Sequence, residues 1–446
     1  MHPDIERELL IKYPAAVEDR DWTYYRELIK QGLQSSKDRY GFINYGKSFK
    51  ALRPAEALYK KMLSYKNQGS YHEVWYINRA ILTQISAAIL HMDDSSGIAG
   101  GLIYGSLDEL LNLAKNVTNQ DLRNEMFKVL GREFEREKYR AFGFEQLIFQ
   151  ILTLLADDNK KLQQIQKRLD TLAEKIDEET GYSRDIHEEN LLDMRIQLME
   201  KVGNNEEAVS LLEDNKRFWK FREKLIERAF RNENLNEAKA LAREGLQQSA
   251  AEKQYGLVTY CLEWMAKIAQ KEQNTADYRK YILRLFENTR DPGYYKKWKG
   301  TFSDVSEQTQ AYAKYIENLR QSSQDLHQKN ELLGLIFNHE QDWDSLVEIV
   351  DHAAYLLDRY GWKLLEHRPK GILPWFKKRI RQEADHASER KSYKAIAEEL
   401  RKIAVYSGGR EMAQHLFIEL QDKYSNRPAM IDELNKVKNS VFRIDN

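Results

Sequence analysis

Residues 203–286 set the strongest limit on what this chain can fold into, because apolar side chains there recur at three- and four-residue intervals and nowhere alternate as a strand requires. Glu206-Glu207-Ala208-Val209-Ser210-Leu211-Leu212 opens one helix, and Phe218, Phe221, Leu225 and Ala229 mark the buried face of the next. Asn232-Glu233-Asn234 breaks the pattern, residues 236–242 restart it, and Tyr255, Val258, Leu262, Met265 and Ile268 carry it through a further helix. Asn-Glu-Ala at 236 echoes Glu-Glu-Ala at 206, a spacing suited to a repeated helix hairpin. Short polar breaks between periodic segments predict antiparallel neighbours that hide their apolar faces on one another.

Composition agrees with an extended array. The 446 residues include only seven prolines, 31% of them are charged, and 42% are hydrophobic, enough to form a core. Lys plus Arg and Asp plus Glu each number 70, so no global field draws the chain to nucleic acid or anionic lipid, and such binding would need a local patch. Cys261 is the only cysteine. It excludes an internal disulfide and any zinc site built from paired cysteines, and its place on an apolar helical face reads as a structural thiol. The opening residues lack the basic and apolar regions of a signal peptide, and no run of eighteen uncharged apolar residues occurs, so the expected location is cytoplasmic, with no membrane contact.

Along the chain, Leu9, Leu10 and Tyr13, then Trp22, Tyr25, Leu28 and Ile29, predict two helices separated near Pro14. Residues 41–48 fit the phosphate-loop pattern of Gly41, four residues, and Gly46-Lys47-Ser48. A working phosphate loop follows a buried strand and opens into a helix. Here residues 36–40 are mostly polar, Phe42, Ile43 and Tyr45 resist the positive φ angles of an anion nest, and Pro54 is expected to interrupt a helix begun at Lys47 and to start a new one. Nucleotide binding is therefore not expected. An apolar helix through Val74, Ile77, Ile81 and Ile85 ends in His91-Met92-Asp93-Asp94-Ser95-Ser96-Gly97. A calcium loop with Gly97 sixth would put Met92 first and Ile103 twelfth, where acids are needed. The segment is instead expected to cap the following helix through an Asp or Ser side chain.

Gly41-Phe42-Ile43-Asn44-Tyr45, the apolar helix pair, Asp93-Asp94-Ser95-Ser96-Gly97 and Gly101-Leu102-Ile103 together resemble the long helical region that follows the zinc finger in bacterial SWIM-type zinc-finger proteins. The carboxyl end is similar too, through residues 341–346, Gly408-Gly409-Arg410 and residues 426–434. The finger itself needs three cysteines and a histidine, so zinc and the finger's nucleic-acid contacts do not carry over to a chain with one cysteine. The resemblance implies a helical, tetratricopeptide-like companion region and assigns no catalytic residue.

Two stretches are candidate partner-binding sites. Tyr294, Tyr295, Lys296, Lys297 and Trp298 lie where Pro292, Gly293 and Gly300 break the helical pattern, and aromatics interleaved with lysines suit a hinge or a binding loop. Pro369 and Pro374 bracket a turn before Trp375, Lys377, Lys378, Arg379 and Arg381, in a region (361–402) holding 12 Lys or Arg against 6 Asp or Glu. For both, the plainer reading is aromatics covering helices and a solvated charged face.

Catalytic patterns fail. His72, His187 and His339 each precede Glu, but Tyr76, Leu191 and Trp343 stand where a second zinc-binding His would be, and no Gly-x-Ser-x-Gly elbow occurs. The sequence thus predicts an all-α chain, a superhelical array of antiparallel helix hairpins in the manner of a TPR-like α-solenoid, with an N-terminal helical region at 1–156, central hairpins at 157–287 and a C-terminal region at 288–446. The expected function is non-catalytic recognition of a protein or peptide along a long face, with no cofactor or metal. The alternative is nucleic-acid binding through the basic and aromatic stretches.

Overall fold

The computed structural model describes residue 11, residues 21–323 and residues 325–442; the first helix expected from Leu9, Leu10 and Tyr13 lies mostly outside them. Among the described residues there are 23 α-helices and no strands. Contacts divide the chain into two compact units, Met1–Leu225 and Ile226–Asn446.

The first unit contains α1 (Trp22–Ser36), α2 (Tyr45–Asn67), α3 (Tyr71–Ala88), α4 (Ile98–Asn116), α5 (Gln120–Phe134), α6 (Glu137–Arg140), α7 (Glu145–Leu155), α8 (Asn159–Asp177), α9 (Tyr182–Lys201) and α10 (Asn205–Asp214). Helix α1 packs on α2 and α3, α2 also on α4, and both α4 and α5 on α7, so one apolar cluster extends from Ile11 to Leu198. Helix α8 shows how local sequence makes an element: the Asp158 carboxylate accepts the Lys161 amide at 2.7 Å, and Ile165, Leu169, Leu172 and Ile176 follow at helical spacing, all buried. Each such side chain contributes about 1.5–3 kcal/mol on leaving water.

Helix α11 (Trp219–Arg231) carries the boundary between units. The second unit continues with α12 (Leu235–Ala251), α13 (Tyr255–Lys271), α14 (Thr275–Thr289), α15 (Pro292–Lys299), α16 (Val305–Gln321), α17 (Leu326–Glu340), α18 (Trp343–His352), α19 (Leu357–His367), α20 (Pro369–His386), α21 (Arg390–Ile403), α22 (Gly409–Lys423) and α23 (Pro428–Phe442). From α12 to α15 each helix packs chiefly on the next, and from α17 onward on the next or next but one. The periodic residues 203–286 are thus successive helices, as their spacing predicts, of which α12, α13 and α14 pack each on the next, with Cys261 wholly buried on α13.

One turn recurs. A left-handed residue ends a helix, and the next amide reaches back five residues to a carbonyl: Asn204 to Met199, Asn234 to Ala229, Gln254 to Ser249, Asn274 to Ala269 and Asp342 to Phe337, each at 2.9 Å, with Ser70 to Tyr65 at 3.0 Å. This bond satisfies carbonyls that the helix end would otherwise leave unpaired, and the compact turn sends the chain straight into the next helix.

Three sequence expectations need correction. Pro54 does not start a helix but lies inside α2, which runs unbroken from Tyr45. Its ring packs so closely on α1 that a Cβ at Gly32 would sit 2.8 Å from Pro54 Cγ, and tertiary packing carries the helix through the lost hydrogen bond. Pro369 and Pro374 do not bracket a turn: Pro369 occupies the first turn of α20, and Pro374 follows within the helix, held by buried Ile372, Leu373 and Phe376. The break expected at 288–302 contains a helix, α15, begun by Asp291, whose carboxylate accepts the Gly293 amide at 2.8 Å, with Pro292 in its first turn.

The loop before α4 behaves as expected. Asp94 accepts the Ala99 and Gly100 amides at 2.8 and 2.9 Å. Gly46 and Lys47 lie in the first turn of α2, and among the described residues no strand precedes them, just the isolated bridge of Ile43 with Met92. Among the described residues no helix is long and apolar enough to cross a membrane.

Candidate binding cleft

The aromatic and lysine stretch at 294–299 becomes a short helix with two unlike faces. Tyr295 and Trp298, three residues apart, turn inward and are 1% and 3% exposed. Their rings continue a stack from Phe286, 5.4 Å from Tyr295, to Tyr315, 5.7 Å from Trp298. The Tyr295 hydroxyl donates to Glu340 Oε1 at 3.0 Å, and Lys299 Nζ reaches Glu340 Oε2 at 2.7 Å, which ties α15 to α17. Burial, the largest influence on Glu340, would raise its carboxyl, but hydrogen bonds from Lys299, Tyr295 and His339 outweigh it and leave the group below the usual carboxylate range. Tyr294 donates to Glu263 Oε1 at 2.7 Å; burial first, then that carboxylate, push its phenol up to about 12. Lys297 Nζ lies 5.1 Å from the centre of the Tyr294 ring. Tyr295 is therefore core and unavailable for stacking on a base, a correction to the sequence expectation, while Trp298 shows only one edge.

That edge floors a cleft of ≈ 430 Å³ between α14 and α16. Leu283 and Phe302 form its apolar walls, and Gln310, Ala311, Lys314 and Asn318 line one face of α16 at helical spacing. Arg279 closes one end. Its guanidinium sits 3.7 Å from the Phe302 ring centre, donates to the Thr301 carbonyl and hydroxyl at 2.9 Å, and pairs with Glu307 at 2.7 Å. Behind the floor the Tyr315 hydroxyl donates to Glu287 at 3.2 Å, and burial pushes the carboxyl of Glu287 up. The floor is thereby tied to α14, the walls are apolar, and Lys314 has no carboxylate partner among the described contacts. Helix α16 stays open here because only Tyr315 and Leu319 along it are buried.

The second candidate stretch lies on α20, and its arginines are engaged. Arg379 pairs with Asp358 of α19 at 2.6 Å and with Glu399 of α21, while its guanidinium covers Phe376. Arg381 makes a two-point contact with Glu419 of α22 at 2.6 and 2.7 Å. The Trp375 indole donates to Asp351, and Lys378 lies over its ring. The expected basic groove is thus largely a set of clips between helices, which corrects the reading of Arg379 and Arg381 as partner contacts; Asp358, Glu399 and Glu419 lie twenty or more residues away in sequence, and only Glu383, 3.8 Å from Arg379, is local. Lys378 is exposed and Lys377 half-buried.

Sequence reasoning missed Arg279, Leu283, Phe302, Ala311 and Lys314. Their signal was weak: residues 305–321 hold apolar residues at about the share of the whole chain, and nothing in their spacing says which of them neighbouring helices leave uncovered. Among the described residues no group of three or more His, Cys, Asp or Glu is placed to hold a metal ion.

No family profile and no curated protein matches this chain. A solved structure described as "Circular tandem repeat protein with novel repeat topology and enhanced subunit contact surfaces" aligns with 99% of this chain and 98% of its own length, at 12% identity and a TM-score of 0.21. Likeness at that score carries no weight, and the fold rests on the helices and contacts described above.

Proposed function

We propose that this protein is a non-catalytic helical-repeat scaffold that recognises a peptide segment of a protein partner in the cleft between α14 and α16. The observation that carries the reading is the aromatic floor beneath an open helix face, with Lys314 at its rim and Arg279 already paired to Glu307. Such a site suits a segment with one bulky apolar anchor and a nearby acid: the anchor fills the space over Trp298 and Leu283, and the acid meets Lys314. Repeated hairpins support this role because neighbouring helices each lend one or two side chains to a groove without reaction chemistry. The reading does not depend on the SWIM resemblance.

Selection of a displayed peptide library on the full chain tests it. The expected winners carry a large apolar residue beside Asp or Glu. Ala311→Arg, which fills the cleft from its exposed side, should weaken them by about tenfold or more, and Lys314→Glu by a smaller factor, with helix content unchanged. Selected peptides that bind Ala311→Arg as tightly as the parent would overturn the assignment.

A further inference from the structure

The cleft between α14 and α16 interrupts a regular succession of helices. From α12 to α14 each helix is fifteen to seventeen residues long and packs on the next. The succession then breaks, because α15 has eight residues and α16 has seventeen. At 1.5 Å per residue α15 rises about 12 Å and α16 about 25 Å, so α15 is too short to cover its neighbours along their length. Helix α16 packs chiefly on α17 rather than on α14. What remains between α14 and α16 is the cleft, to which α15 supplies the floor through Trp298. The Trp298 ring stands 5.2 Å from Phe302 and 5.7 Å from Tyr315, so floor and walls are continuous.

The relief of the walls suits a helix. Gln310, Lys314 and Asn318 lie four apart along α16, Arg279 and Leu283 lie four apart along α14, and all five border the same cleft. Side chains four apart form a ridge, and a helix seats its own ridges in the groove that such ridges enclose. From Gln310 to Asn318 the wall rises about 12 Å, which matches two turns of α-helix but only about four residues of extended chain.

Backbone groups argue against an extended occupant. An extended segment brings N–H and C=O groups that need partners on leaving water, and a sheet edge is the usual source of them. Among the described residues there is no strand. The walls are helices whose backbone groups are bonded within themselves, and the side-chain amides that border the cleft, Gln310 and Asn318, stand at opposite ends of one wall. An α-helix arrives with its backbone bonds already made and offers only side chains to Leu283, Trp298 and Phe302. Charge fits the same pose, because the residue next to an anchor over Trp298 is turned by about 100° in a helix, toward a wall, and Lys314 stands on one of them.

We infer that the occupant of this cleft is an amphipathic α-helix of a protein partner, two turns of which lie between α14 and α16. Apolar residues one turn apart meet the floor, and an acid beside one of them meets Lys314. This rests on the peptide-binding reading of the same cleft and adds to it the conformation of the segment, and with it the spacing of the anchors.

The test uses the full chain and the tightest peptide selected from the displayed library, labelled with fluorescein and read by anisotropy. Alanine substitution along the peptide should cost most at positions three or four apart. Proline in its middle, on the side away from the cleft, should weaken binding about a hundredfold, and a lactam joining two outward residues four apart should tighten it about threefold or more. The Cα chemical shifts of the carbon-13-labelled peptide should move to helical values when the protein is added. Bound shifts that stay extended, with losses at every second residue and proline tolerated, overturn the helix; if Ala311→Arg still blocks that peptide, the cleft stands as a site for an extended segment. No selected peptide, or one that binds Ala311→Arg as tightly as the parent, overturns both readings.

Discussion

The two units end their helices with different residues in the same backbone shape. Among the described residues, every left-handed position in Met1–Leu225 is glycine, whereas in Ile226–Asn446 only Gly408 is; Glu233, Lys253, Gln273, Arg290 and Gln341 take the others. Gly203 and Glu233 make the contrast plain, since each precedes an asparagine whose amide returns five residues at 2.9 Å. One conformation reached by both residue types teaches that the turn is imposed by helices closing on each other, and that glycine only eases it. A side chain in this region costs about 1–2 kcal/mol relative to its ordinary conformation, so the second unit holds strain at its turns that the first avoids.

The largest expected effect breaks this contrast from the second unit's side, where glycine serves close approach. A Cβ at Gly409 would lie 2.1 Å from the Ile403 carbonyl oxygen, with no flexible side chain able to yield. Gly409→Ala should destabilise α21 to α23 by about 3 kcal/mol, seen as lost amide protection there. If protection is unchanged, the junction of α21 and α22 relaxes more easily than its geometry allows.

Next is Gly203→Ala, where nothing lies near the added Cβ and only the φ of +82° opposes it. A loss of about 1 kcal/mol in denaturant unfolding is expected, and no loss would show that the turn tolerates any residue. The reverse changes sharpen the same point: Glu233→Gly, Lys253→Gly, Gln273→Gly and Gln341→Gly should each stabilise by about 0.5–1 kcal/mol, offset in part by the freedom glycine adds to the unfolded chain. Destabilisation in all four would mean their side chains do more than adopt the turn.

The smallest effects are pH-dependent, and two carboxylates of the first unit pull in opposite directions. Hydrogen bonds from Lys161 and then Gln120 hold Asp157 down to about 2, from an ordinary 3.8. Its depressed value adds stability that is present above pH 3.8 and is lost as pH falls toward 2, and Asp157→Asn should remove that acid dependence. Burial pushes the carboxyl of Glu145 up despite a hydrogen bond from Asn190. Its contribution is greatest below the ordinary 4.5 and fades as pH rises through the folded value, so Glu145→Gln should stabilise at neutral pH and have little effect in acid. Thermal melts between pH 2 and 8 would separate the two, and a parallel response in both variants would refute the opposed signs.

Much of the fold was legible because period and breaks are local. Val258, Leu262, Met265 and Ile268 announce α13 whatever surrounds it, and Asp94 could be foreseen as a cap because its partners lie five and six residues on. Pro54 and Pro374 were misread because helix continuation through a proline depends on packing from elsewhere in the chain. The candidate cleft was barely legible. Trp298 stood out by composition, but its role as floor needs Arg279, Leu283 and Ala311, brought beside it from neighbouring helices.

The sequence by itself determined that the chain is helical and where most helices begin and end, since hydrogen bonds and apolar spacing within a helix join residues only three or four apart. Tertiary structure alone decided which aromatics are core and which stay in water, and which arginines are already bound to acids. Tyr295 and Tyr45 look alike in a string of letters, and so do Arg379 and Arg39. Only contacts made across long stretches of chain bury Tyr295 and hold Arg379 to acids, while Tyr45 and Arg39 stay exposed.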